Sequence, residues 1–358
     1  MGRPGALTPA LSQGEREEEA DSAEGGDLLL GMNKHANETE SNLMASVRTL
    51  MGGLIDYAGL FPPSQLDMGK ATENYAKYLR AERADFVGRF ICPVPKLEEL
   101  SKKAAIVMPG TFATSGYPEH LDDISPWQIS GIIVGDLGEN LEMIYRFNEH
   151  HDDEGNGLAM VDAIEMRVSS GDEIDEALEL IPEMIDAAFE VPQDIVMNGD
   201  VRGLIAAMSG SGVLAKIRCG GVEPSMLPSC ENIAAFMMAC KNASVMFKCT
   251  AGLHHPIRGE HALTYAEDSP RGVMHGFINV FVAAAYVLSA KRPEESVVVG
   301  ILEEMDEKAF VFEDGGVKIG KTKVSTVDLG RMREGFAVSY GSCSIDEPVE
   351  ELGGLGLL

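Results

Sequence analysis

The chain has 358 residues, with 29 Lys and Arg against 57 Asp and Glu, and a formal net charge of −28. So acidic a chain repels the phosphate backbone of nucleic acids and anionic lipid surfaces, which excludes nucleic acid and membrane as partners. With 45% hydrophobic and 24% charged residues the bulk of the chain is globular, and its length fits one large α/β domain or two small ones.

Residues 1–31 lack apolar periodicity and carry the acidic run Glu15–Glu19, interrupted by Arg16, so a disordered tail over residues 1–43 is expected. Its segment ALTPALSQGERE resembles the translated form of an interspersed bacterial repeat, which makes Met32 or Met44 the expected start. No basic n-region precedes an apolar h-region, and the most apolar long segment, Gly276–Ala290, falls short of the roughly 20 residues a membrane span needs. The expected location is cytoplasmic. Cys92, Cys219, Cys230, Cys240, Cys249 and Cys343 show no CxxC spacing and read as free thiols.

From about residue 50, β-rich runs alternate with helical patterns, the signal of βα units around a parallel sheet. Eight runs are predicted as strands: Leu54–Leu60, Phe86–Cys92, Ile129–Asp136, Ala163–Val168, Ala187–Val191, Val213–Cys219, Val245–Thr250 and Phe336–Tyr340. Helices are predicted over Gly69–Arg83, Gly138–Glu149, Asp172–Asp186, Val201–Ser209 and Ser229–Lys241. The expected fold is therefore a single (β/α)8 TIM-barrel-like domain over residues 44–358, with an open doubly wound parallel sheet as the alternative. The seventh and eighth runs are too far apart for one helix, so an insertion is expected at about 293–334. Within it, Phe310–Ile319 places Asp-Gly-Gly between two alternating runs, a hairpin signature. Helices 275–290, 293–308 and 325–334 should flank that hairpin.

Alternate side chains of a strand face opposite ways, so each run can be split into two faces. Glu165 and Arg167 then share one face, as do Lys216 and Arg218, and Lys248 and Thr250. Asp56, Arg89, Asp136 and Glu190 lie towards the C-terminal ends of their runs. Charges in a parallel sheet covered on both faces are costly unless paired, and in a barrel the C-terminal strand ends form the active site. The sharpest segment is Lys248–Arg258, a strand-end lysine followed by small residues, His254, His255 and Arg258. Gly341-Ser342-Cys343-Ser344 after the eighth run supplies the other half of an expected anion cup, with Thr250, His254, Ser342 and Ser344 as substrate contacts. We favour His255 as a proton-transfer group. Cys219 and Cys249 fall on the opposite strand face, which argues against a cysteine nucleophile built from either.

Lys216 and Lys248, on the sixth and seventh runs, resemble the lysine pair of class I aldolases of the deoxyribose-phosphate aldolase type, over roughly residues 213–252. The resemblance implies that one lysine forms a Schiff base and the other lowers its pKa, because two neighbouring ammonium groups disfavour each other. In this sequence Lys216 is followed by Ile217, Arg218 and Cys219, where the aldolases are rich in Thr and Gly. Residues 50–358 also resemble a bacterial family of uncharacterised barrel-like proteins, through segments such as DYAGLFPP, AKIRCGG, FKCTAGLHHP and GSCSIDEP. That likeness carries no activity.

The leading expectation is an enzyme acting on a small anionic carbonyl metabolite by Schiff-base lyase or aldolase chemistry, with no cofactor. Lys216 or Lys248 is the nucleophile and Glu165, Glu190 or His255 moves protons. Arg167, Arg218 and Arg258 bind the anion, with Asp56 and Arg89 as further substrate contacts. The second is a Mg²⁺- or Mn²⁺-assisted lyase or isomerase whose ligands are Asp56, Asp136, Glu165 and Glu190. The third is a non-catalytic metabolite-binding or scaffold protein. Homo-oligomers paired through the helical shell fit all three.

Overall fold

The computed structural model describes residues 43–110 and 125–358. The expected N-terminal tail over residues 1–43, with the candidate start Met32, lies outside them but for its last residue, Leu43. The described residues form one compact unit.

The strands in chain order are β1 (Ile55–Tyr57), β2 (Val87–Pro93), β3 (Trp127–Ile132), β4 (Ala159–Arg167), β5 (Asp186–Glu190), β6 (Leu214–Arg218) and β7 (Phe247–Thr250). After β7 come an antiparallel ribbon, β8 (Gly259–Ala262) with β9 (Arg271–Met274), and a small antiparallel sheet, β10 (Phe310–Glu313), β11 (Gly316–Ile319) and β12 (Thr322–Ser325). The last strand is β13 (Ala337–Ser342). β1 to β7 and β13 close into an eight-stranded parallel barrel in the order β1-β13-β7-β6-β5-β4-β3-β2. The open doubly wound sheet is excluded by the pairing of β1 with β13 on one side and β2 on the other.

Helices cover the barrel because their starts are capped and their inner faces apolar. Asp67, Asp136, Ser170 and Ser229 each accept a backbone N–H at the first turn of a helix. Outward-facing strand residues such as Ala215, Ile217, Phe247 and Cys249 are buried beneath that shell. Helix Phe277–Ser289 is buried on nearly every side, because it packs against the barrel-side helix Cys230–Ala243 and against helices Glu295–Glu303 and Thr326–Gly335. This explains why it is apolar all round. Among the described residues no helix is long and apolar enough to cross a membrane.

The insertion holds more than one hairpin. β10 and β11 turn at Asp314-Gly315 as expected, and β12 adds a third strand. The β8–β9 ribbon lies earlier in the interval, and its Leu263 edge reaches the barrel mouth. A last helix, Asp346–Gly354, follows β13.

Candidate functional site

Contacts between strands that are not neighbours in the sheet run through the barrel interior, and five charged side chains meet there. Lys248 Nζ on β7 lies 2.8 Å from Asp56 Oδ2 on β1 and 2.8 Å from Glu165 Oε1 on β4. The other oxygen of Glu165 lies 2.6 Å from Lys216 Nζ on β6, which is also 2.7 Å from Glu190 Oε2 on β5. The result is one chain, Asp56, Lys248, Glu165, Lys216, Glu190, in which every ammonium bridges two carboxylates. Ser130 Oγ donates to Glu165 Oε1 and Ser339 Oγ to Asp56 Oδ2, each at 2.7 Å, and the Arg89 N–H donates to Asp56 Oδ1 at 2.8 Å. Register explains the layering: Glu190 pairs with Lys216 and Lys216 with Lys248 across adjacent strands, so three charges stand side by side.

All five groups are buried. Burial favours the neutral form of each, and only paired charges offset that cost. Burial raises the Glu165 carboxyl, but the two lysines outweigh it and hold the group well below the carboxylate range. Burial likewise opposes ionisation of Glu190, and Lys216 with Arg218 and Arg167 overcomes it. For Lys248, burial favours the amine, yet Asp56 and Glu165 hold it as an ammonium above the ordinary lysine range. The lysine pair was expected to act by mutual repulsion. Instead Glu165 stands between the two, so carboxylates and not ammoniums are the nearest neighbours of each.

Above this chain opens a cavity of about 720 Å³. Its floor and walls include Lys216, Glu165 and Glu190, with Arg167 and Arg218 at the mouth, and Lys248 does not line it. Both guanidiniums lean on Glu190 Oε1, Arg167 Nε at 3.3 Å and Arg218 Nη1 at 3.7 Å. The Arg167 side chain is 77% exposed and free to swing towards an anion, while Arg218 is 30% exposed. Apolar walls come from Ile91, Ile132, Met166 and Leu263. The loops after β6 and β7 touch directly: a Cβ on Gly252 would lie 2.7 Å from Gly220 Cα, and Ala251 and Gly252 take positive φ of 57° and 75°. Glycine at both contact points permits that approach.

One wall carries a second cluster. Cys343 Sγ, just past β13, lies 3.9 Å from His254 Nδ1, and the same nitrogen is 3.3 Å from Glu347 Oε2 on the last helix. Tyr265 Oη lies 3.7 Å from Cys343 Sγ and 3.3 Å from Glu347 Oε2. Burial disfavours charge on His254, but its bonds to Cys343 and Glu347 raise its pKa to about 9. Burial pushes the Cys343 thiol up, and the His254 hydrogen bond and charge bring it below its ordinary value.

Thr250 and His254 line the cavity with Lys216, Arg167 and Arg218. Six residues expected in a site lie elsewhere. Arg89 is paired with Asp162 and Asp186 at 2.8 and 3.1 Å, towards the N-terminal ends of β4 and β5. His255 turns away from the cavity, placing Nδ1 2.7 Å from Glu351 Oε1 and stacking on His261 at 3.5 Å. Its neighbour His254 takes the cavity wall because adjacent side chains diverge. Arg258 Nη1 lies 3.0 Å from His275 Nδ1, and its N–H donates to Asn279 Oδ1. Ser342 Oγ donates to Ser344 O, and Ser344 Oγ accepts the Glu347 N–H, so both hold the turn into the last helix. Of the expected cup segment, Gly341 and Cys343 line the cavity. Asp136 is an exposed helix cap that accepts the Glu139 N–H at 2.8 Å.

That last placement removes one member of the expected Mg²⁺ or Mn²⁺ set, and Asp56, Glu165 and Glu190 have their oxygens on lysine ammoniums. Among the described residues no group of three or more His, Cys, Asp or Glu is arranged to hold a metal ion. Ser130, Ser339, Tyr265 and Glu347 were not singled out from sequence, and Cys343 entered the expected site only as part of the segment after the eighth run. Cys343 was findable, because it follows the eighth run as Thr250 ends the seventh. Compared with protein-family models and with curated proteins, the chain matches none.

Proposed function

We propose that the barrel is a Schiff-base lyase of the aldolase kind, acting on a small anionic carbonyl compound with Lys216 as the nucleophile. The observation that carries this reading is the position of Lys216: of the two central lysines it alone lines the cavity, and it stands between two carboxylates at 2.6 and 2.7 Å. Lys248 is then the fixed charge beneath it, acting through Glu165. The likeness of the lysine pair to class I aldolases supports the same assignment. Six free, buried cysteines fit the reducing cytoplasm, where we place the enzyme.

The chemistry follows from the neighbours. An anionic substrate group engages Arg167 and Arg218, drawing them off Glu190. Glu190, relieved of two cations, becomes the better acceptor and takes a proton from Lys216 across 2.7 Å. The neutral amine adds to the carbonyl carbon, forming the C–N bond. The carbonyl oxygen takes two protons and leaves as water, giving an iminium. Glu190 or Glu165 takes the hydroxyl proton of the departing fragment, which leaves as an aldehyde while the electron pair of the breaking Cα–Cβ bond moves into the iminium to give an enamine. The same proton then returns to the enamine carbon, and water releases the product from Lys216.

Borohydride treatment in the presence of pooled keto acids and aldehydes tests this, since reduction fixes an iminium as a stable amine. A mass increase equal to substrate minus one oxygen, the loss of water on condensation plus the two hydrogens of reduction, supports carbonyl chemistry and gives the substrate's mass. Ligand-induced thermal stabilisation with no adduct from any pool would contradict it and leave a binding protein.

A further inference from the structure

Cys343 stands apart from the other five cysteines. Burial pushes Cys92 up to about 12, Cys230 up to about 11 and Cys240 well above the ordinary thiol value, and a hydrogen bond with Cys219 together with burial does the same to Cys249. None of these lines the cavity, and neither does Cys219. Cys343 does, and polar groups from two other elements face it: His254 after β7 and Tyr265 between β8 and β9. Glu347 on the last helix touches both His254 and Tyr265. A thiol kept for packing has no need of an imidazole that is itself backed by a carboxylate. Glu347 Oε2 and Cys343 Sγ both approach the same nitrogen, Nδ1, so a protonated His254 stands between carboxylate and sulfur and can hold the sulfur as a thiolate.

We propose that Cys343 is a second nucleophile of the cavity, a thiolate ion-paired with His254 that adds to the carbonyl carbon of small aldehydes. Sγ supplies the electron pair of the new S–C bond while the carbonyl π pair moves onto oxygen. The His254 imidazolium gives its proton to that oxygen, leaving a neutral thiohemiacetal and a neutral imidazole. Glu347 is a positioning residue that keeps His254 charged between cycles. The reverse step restores thiolate, imidazolium and free aldehyde, so no oxidant or further reactant is needed. The assignment does not depend on Lys216.

The test is alkylation of the full chain with iodoacetamide, followed by peptide mapping of all six cysteines across the neutral pH range. The expected result is that Cys343 reacts first. Near pH 6.5 its rate should exceed that of the same cysteine in the urea-unfolded chain by about ten-fold or more, because an unfolded thiol is then only about 1% thiolate. His254→Gln should return the pH dependence to that of an ordinary thiol, and Cys343→Ser should remove the fast site. In a Lys216→Arg variant, which keeps the central charge but forms no Schiff base, glyoxylate should slow Cys343 alkylation and glycolate, the same anion without the aldehyde, should not. A wild-type Cys343 that reacts no faster than the unfolded thiol would overturn the proposal without reference to any variant. Equal effects of glyoxylate and glycolate would overturn its carbonyl part.

Discussion

Lys248 on β7 reaches Glu165 on β4 at 2.8 Å although β5 and β6 separate the two strands in the sheet. The contact exists because the sheet is closed, and Glu165 then offers its second oxygen to Lys216 at 2.6 Å. A single carboxylate thereby couples a lysine that lines the cavity to one that does not.

Removing one partner from such a chain leaves a charge buried without its counterion. Lys248→Met strands Asp56 and leaves Glu165 with Lys216 alone, and is expected to cost about 3–5 kcal/mol of stability, measured by urea unfolding. A change under about 1 kcal/mol would show that the central ion pairs are worth little. Replacing Lys248 and Glu165 together by Met and Leu should cost less than the sum of the single changes.

The same groups set how stability depends on pH. The folded-state pKa of Glu165 lies below its ordinary value of 4.5, so its contribution is complete above that value and is lost as pH falls further. Lys248 is raised above 10.5, so its contribution is complete below that value and is lost as pH rises beyond it. Unfolding midpoints should therefore hold a plateau between these limits as far as the central chain decides them. His254 adds an earlier alkaline step, because stability from a histidine raised from 6.5 to about 9 is lost as pH rises through about 9. His254→Gln should abolish that step, and an unchanged alkaline limb in the variant would contradict the pairing.

Arg218 is expected to bind the anionic end of the substrate. Its contact with Glu190 is long, 3.7 Å, so Arg218→Leu should change stability by less than about 1 kcal/mol. The substrate concentration for half-maximal adduct formation should rise about ten-fold or more, the value of a charged hydrogen bond. If the half-maximal concentration stays the same, the anion binds elsewhere.

Close approach of the loops after β6 and β7 gives a steric test. A Cβ at Gly220 would meet Gly252 Cα at 2.9 Å and Leu227 Cδ2 at 3.2 Å. Gly220→Ala should destabilise by about 1–3 kcal/mol and weaken ligand binding by parting the loops. Gly203→Ala, on an exposed helical position with nothing within 4 Å, is the matched control and should be neutral or stabilising.

Much of the barrel was legible because period-2 alternation survives in its strands. All eight predicted runs overlap a barrel strand, and charges on a common face of VLAKIRC and VMFKCT placed Lys216 and Lys248 inward. Alternation gives a face but not a height, and so it put Arg89 near the mouth when its side chain pairs with Asp162 and Asp186 near the opposite end. It gives no partners either, and the interleaving of Glu165 between the lysines is a three-dimensional fact. The β8–β9 ribbon was missed because GEHA has no apolar alternation. The last helix was missed because Pro348, Gly353 and Gly354 read as a tail. Without that helix Glu347 and Glu351 have no place, and the divergent roles of His254 and His255 cannot be told apart.

The decisive experiment is peptide mapping of the borohydride-reduced adduct in the wild-type chain, in Lys216→Arg and in Lys248→Arg. We expect the reduced adduct on the peptide that contains Lys216, its complete loss in Lys216→Arg, and its persistence at a lower rate in Lys248→Arg. An adduct on Lys248, or one that survives in Lys216→Arg, would contradict the account.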